Sequence, residues 1–127
     1  MKLTADIMIA DKPNGNGRIY PRAALEACVK RWEAKRPLLG VIEVDRGPLI
    51  AMDEASHVIE KLSVQGDTLV ADIKVLDTVE GRRLQQLLAG ATVTFRSSGF
   101  GKVAEDGKTI LDYELISINA TIDGTEL

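Results

Sequence analysis

Leu3, Ala5, Ile7 and Ile9 alternate with polar neighbours from Leu3 to Ala10, the period-two pattern of a half-buried strand. A breaker-rich loop, Pro13-Asn14-Gly15-Asn16-Gly17, follows and sets Arg18 and Tyr20 ahead of Pro21. Pro21 suits a first helical turn, and Leu25, Cys28, Val29 and Trp32 recur at helical spacing. An amphipathic helix is therefore expected to about Lys35, ending before Pro37. Leu38 to Val44 reads as a buried strand and Leu49 to Met52 as a short one. His57 to Val64 and Thr68 to Leu76 read as a hairpin through Gln65-Gly66-Asp67. Asp77 or Thr78 can cap a second helix with Leu84, Leu87 and Leu88 on one face and Gly90 as its stop. Thr92 to Ser97 and Phe100 to Ala104 then read as strands around a Ser98-Gly99 turn, and Thr109 to Ala120 returns after Glu105-Asp106-Gly107-Lys108.

The sum is an α+β domain, mainly β, in which a barrel-like antiparallel or mixed sheet carries two packed helices. No repeat or linker interrupts it, so residues 1–127 are expected to form one domain. With 45% hydrophobic and 28% charged residues the chain can build a modest core. A formal net charge of −3 with interspersed signs offers no basic stripe, which argues against direct nucleic-acid binding. The lone Cys28 excludes an internal disulfide, and one histidine makes a conventional zinc site unfavourable, so no cofactor or metal is expected. There is no long apolar run and no signal-like N-terminus, which disfavours membrane insertion and secretion.

The chemically suggestive segment is Arg96-Ser97-Ser98-Gly99-Phe100-Gly101, a serine pair running into Gly-x-Gly at the end of an apolar strand. Such a turn can present a hydroxyl to backbone donors, as a nucleophile requires. The chain has one histidine, His57, so serine–histidine chemistry runs through it or does not occur. Against this, Ser97 and Ser98 also suit a turn's own hydrogen bonds, and His57 reads as a partly exposed structural histidine on the face of Ile59, Lys61 and Ser63. Ser56 and His57, as strand neighbours, should point to opposite faces. Asp45, Asp53 and Glu54 read as solvated loop charge, and Arg18 and Tyr20 as a helix-entrance anchor or binding pair.

Four segments in order resemble the prohead proteases of tailed phages, relatives of the herpesvirus assemblins. Asn14 to Pro21 is similar to that family's Asn-x-Asn-Gly-Arg-x-Tyr-Pro opening, and Ser56-His57-Val58-Ile59 with the hairpin after it to a Ser-His-x-Ile strand. The helix from about Val79 to Ala89 and the Ser97-Ser98-Gly99 segment, where the family reads Ser-Ser-Arg-Gly, complete the match over nearly the whole chain. The family's general base is the histidine of Gly-Glu-Leu-Asp-His-Pro; here Gly40-Val41-Ile42-Glu43-Val44-Asp45 puts Val44 in its place. Aligned on the glycines, the family's Ser-Ser-Arg falls on Arg96-Ser97-Ser98. Typical members also continue past the serine strand, whereas this chain stops at Leu127.

The resemblance with these departures implies a non-catalytic protease-fold virion protein that decorates, cements or helps assemble a capsid. Valine can neither take a proton nor orient a hydroxyl. The alternative is an active prohead maturation serine protease using Ser97 or Ser98 with His57. Implied partners are the major capsid protein or other virion proteins, met as a homo-oligomer or multivalently on the shell after assembly in a bacterial cytoplasm. Arg96 can reach a carboxylate on another subunit.

Overall fold

The computed structural model describes residues 1–15, 17–35, 38–42 and 55–122. Within them the order is β1 (Lys2–Ile9), α1 (Arg22–Lys35), β2 (Leu38–Gly40), β3 (His57–Gln65), β4 (Thr68–Val75), α2 (Val79–Gly90), β5 (Val93–Val103) and β6 (Ile110–Ile122). The expected continuation of β2 to Val44, the Leu49–Met52 strand, and Asp45, Asp53 and Glu54 lie outside the described residues.

The described strands form an antiparallel four-stranded sheet, β1-β4-β3-β2, and an antiparallel pair, β5-β6. The two sheets meet along the outer edge of β6. Ile42 bridges Ala120 in parallel and Ile19 bridges Thr109, with Ala120 N–H donating to Val41 O and Ile110 N–H to Ile19 O. No ladder joins β1 to β5 among the described residues, so the expected barrel-like ring is not closed. The core between the layers contains Leu25, Leu62, Leu69, Ile73, Leu84, Ile110 and Ile118. Helix α1 packs on β3 and β6, across the junction of the sheets, and α2 packs on β4.

The β3–β4 hairpin turns at Gly66, whose φ of 64° is the left-handed conformation glycine adopts without strain. Two β-bulges break the simple alternation. One between Asp6 and Met8 leaves Ile9 exposed, where strict period two places it inward; another between Ile59 and Lys61 turns Leu62, not Lys61, into the core. An extra residue shifts the pleat by one position, so every later side chain changes face. In β5 the expected Ser98-Gly99 turn is absent: Val93–Val103 is one strand with an irregularity at Ser98/Gly99.

Helix α2 begins as its sequence dictates, Thr78 Oγ1 accepting from Gly81 N–H at 2.9 Å while donating to Ala55 O at 3.1 Å. Its last residue is Gly90, but the C-cap is Ala91 in extended backbone, whose N–H returns to Leu87 O. The β5–β6 turn is held by Asp106, whose carboxylate accepts from Lys108 N–H, Thr109 N–H and the Thr109 hydroxyl; these bonds hold its carboxyl down at about 2. Thr78→Ala removes both an N-cap and a tie to Ala55, and is expected to lower stability by about 1–2 kcal/mol with an unchanged denaturant slope, as measured by urea unfolding.

Candidate functional site

His57 opens β3 at the junction of the sheets and is fully buried, at 0% exposure. The partly exposed histidine expected from strand alternation is therefore corrected: β2 covers it on one side and β6 on the other. Its Nε2 lies 2.6 Å from Ile118 O and its Nδ1 2.7 Å from Ser56 Oγ. A carbonyl only accepts, so Nε2 carries the proton and Nδ1 accepts from the Ser56 hydroxyl. Ser56 and His57 thus join side chain to side chain although they are sequence neighbours. Ser56 precedes the strand, so the opposite-faces rule does not reach it. The ring stands edge-on to Phe95, with centroids 5.3 Å apart, and a Cβ at Gly40 would overlap Nε2 and Ile118 O. Burial drives the imidazole pKa below its ordinary value, opposed by the bond to Ile118.

Ser97 and Ser98 lie mid-strand, on opposite faces of β5. Ser97 shares the inner face with Phe95, and its Oγ accepts from the Tyr113 hydroxyl at 3.2 Å. Ser98 is exposed and pairs across the ladder with Ser117. Both His57 nitrogens are engaged by other atoms, and no hydrogen bond links that ring to either serine. Ser97 does lie close in register, because its cross-strand partner is Ile118, whose carbonyl holds the imidazole.

The Gly-x-Gly spacing meets close packing from β6: a Cβ at Gly99 would overlap the Glu114 carbonyl and one at Gly101 would meet Ile110 Cγ2 at 2.6 Å. The Tyr113 ring lies over β5 at Gly99 and Gly101, where a Cβ at Gly99 would stand 3.0 Å from its Cζ and hydroxyl. The ring also meets Tyr20 edge to face at 5.1 Å, linking the Asn14–Pro21 segment to Ser97. Burial raises the Tyr113 phenol to about 12, with the Ser97 bond opposing, so it stays protonated and donates. Tyr20 is buried, and its phenol is likewise raised by burial, with nearby Arg18 acting in the other direction. Arg18 itself is exposed, and its N–H closes a turn onto Asn14 Oδ1. Arg96 is half-buried in the strand rather than exposed beside a turn, and pairs across the ladder with Asn119.

Asn119, Ser117, Thr121 and Tyr113 were not among the candidate site residues expected from sequence. Asn119 Oδ1 accepts from Val41 N–H at 3.2 Å, and with Ser117 and Thr121 forms a buried polar row on the face of β6 shared by Arg96 and Ser98. The available signal was the unbroken polar alternation Ser117, Asn119, Thr121 in the second half of β6, where every other residue from Leu115 to Ile122 is apolar. Val44 lies outside the described residues. Among those described, no group of three or more His, Cys, Asp or Glu side chains is placed to hold a metal ion. Nor is any helix long and apolar enough to cross a membrane.

These two joined sheets with their two helices make a prohead-protease-like fold. Among solved structures it is similar to the bacteriophage T4 capsid assembly protease, gp21, at a TM-score of 0.81 and 20% identity over 94% of this chain and 80% of that one. No protein-family model matches the sequence. No curated protein matches it either.

A depressed His57 pKa gives a definite pH dependence. The unfolded chain takes up a proton near pH 6.5 while the folded chain does not. Stability is therefore full above that value and falls as pH drops through it towards the folded pKa. Urea midpoints measured from roughly pH 5 to 8 should decline on the acid side, and His57→Gln should flatten that slope, because no other side chain in the sequence ordinarily titrates there. Tyr113→Phe should cost about 1 kcal/mol in the same assay.

Proposed function

We propose that this protein is a non-catalytic, protease-fold component of a phage particle that acts structurally on the capsid, by decorating, cementing or helping to assemble it. The observation that carries the reading is the state of His57. It is the one imidazole in the chain, it is sealed from solvent, and its nitrogens are committed to Ser56 and Ile118. A serine nucleophile needs a base within hydrogen-bond reach, and the hydroxyl nearest Ser97 belongs to a protonated phenol that donates to it. Val44 in the place expected for the family's histidine supports the same reading from the sequence. The likeness to a T4 capsid assembly protease supports a setting among capsid proteins. The partners are then the major capsid protein or other virion proteins, engaged many times over on a symmetric shell, with assembly in the host cytoplasm.

Incubating the purified protein with the major capsid precursor of its own phage, beside a Ser97→Ala/Ser98→Ala double variant, tests this by mass spectrometry of the products. The expected outcome is intact precursor with both proteins and co-sedimentation with assembled shells. Cleavage by the wild type that the double variant abolishes would instead establish an active maturation protease.

A further inference from the structure

Four of the five aromatic side chains, Tyr20, Trp32, Phe95 and Tyr113, are buried, whereas the fifth, Phe100, is 74% exposed. Alternation sets Phe100 with Arg96, Ser98 and Lys102 on the face of β5 opposite to Phe95 and Ser97. The register irregularities fall in β6, where Ile116 and Leu111 are the extra residues, and both are exposed. Helix α1 meets β6 from its edge, through Arg31 and Lys35, and α2 packs on β4. Phe100 and Ile116 therefore stay bare on a face that neither helix covers. An exposed apolar patch with a charged rim marks a site of interaction.

The charges decide what fits this face. Strand β5 contributes the cations Arg96 and Lys102, neither of which enters an ion pair among the described residues. Strand β6 contributes Asp112, level with Lys102, and Glu114, level with Phe100. Arg31 and Lys35 each take one oxygen of these exposed carboxylates. The face is thus divided lengthwise, cationic along β5 and acidic along β6, and such a face complements itself. A two-fold axis parallel to the strands and midway between them lays each β5 over the β6 of another copy at the same level. Lys102 then meets Asp112 of the second copy, and Phe100 falls between the levels of its Ile116 and Leu111. An axis across the strands sets cationic strand on cationic strand instead, which repulsion opposes.

We propose that the outer face of β5–β6 around Phe100 is a two-fold interface with a second copy of this chain. Phe100 and Ile116 supply the apolar centre, and two symmetric Lys102–Asp112 pairs fix the alignment. The patch spans a few residues of two strands, less than the roughly 800 Å² per partner of a standard stable interface, so the association is weak and depends on concentration. The inference does not rest on the proposed capsid role, and its test uses this protein alone.

The experiment is sedimentation velocity of the intact protein from about 10 μM to 1 mM, the range in which weak association is read. Monomer should give way to dimer with rising concentration, with no larger species. Phe100→Ser should weaken the dimer at least about tenfold. Lys102→Asp and Asp112→Lys, both at exposed positions, should each leave monomer throughout, because each sets like charges together twice. An equimolar mixture of those two variants should dimerise as the unsubstituted protein does, since opposite charges then meet at both places. Unchanged far-UV spectra confirm the folds, and recovery on mixing cannot come from misfolded chains. Monomer alone up to 1 mM would give the face to a different macromolecule and overturn the proposal. A dimer indifferent to Phe100→Ser, assemblies larger than two, or a mixture no more associated than its components would each do the same.

Discussion

The buried edge of β6 must be hydrogen-bonded by the other sheet, and the bond from His57 Nε2–H to the Ile118 carbonyl, in a site sealed from solvent, joins the Val41 and Asn119 bonds in doing so. Strand β6 faces the interior with an edge that β5 does not fill, and every outward amide or carbonyl there needs a partner, since an unmet buried group costs about 1–3 kcal/mol. Four different devices meet that need: the imidazole at Ile118, the Val41 carbonyl at Ala120 N–H, the Cys28 sulfur at Leu115 N–H and the Arg31 guanidinium at Tyr113 O. Only the imidazole reaches across from β3, and it reaches because Gly40 leaves room for it. Its neutrality follows from burial, since a charged ring, even with the Ser56 bond reversed, would place a cation in a dry site beside Phe95.

The same arrangement accounts for the chemical quietness of residues that look reactive in the sequence. Cys28 is used as an acceptor at the bottom of α1, and burial lifts its thiol to about 11, so it is held as an uncharged packing group. Ser97 is the terminus of a Tyr20–Tyr113–Ser97 chain that fastens the N-terminal loop to β5. The glycines at 99 and 101, which resemble a nucleophile turn on paper, make space for the Glu114 carbonyl, the Ile110 side chain and the Tyr113 ring of β6.

Much of the architecture was legible from local rules. The Gly66-Asp67 hairpin, the Thr78 cap, the Asp106-Gly107 turn and both helices follow from residues within a few positions of each other, because their hydrogen bonds are local. Simple alternation failed at Ile9, Lys61 and Ser98-Gly99, where bulges insert an irregularity that no side-chain pattern announces. The site was legible only as a set of names. His57, Ser97, Arg96 and Tyr20 were all picked out, but their burial and partners were not, since Ile118 is 61 positions from His57 and Tyr113 is 16 from Ser97.

By itself, the sequence determined which elements form and which chemistry is scarce: helices and strands at their spacings, one histidine, one cysteine, and a valine in the place the resemblance reserves for a base. Only the tertiary structure decided that the lone histidine is sealed between sheets, that the serine pair splits across two faces of one strand, and that β5 pairs with β6 alone among the described residues. Composition and periodicity are properties of neighbours along the chain. Burial, tautomer and edge exposure depend on which distant strand arrives beside them, and long-range packing alone sets that.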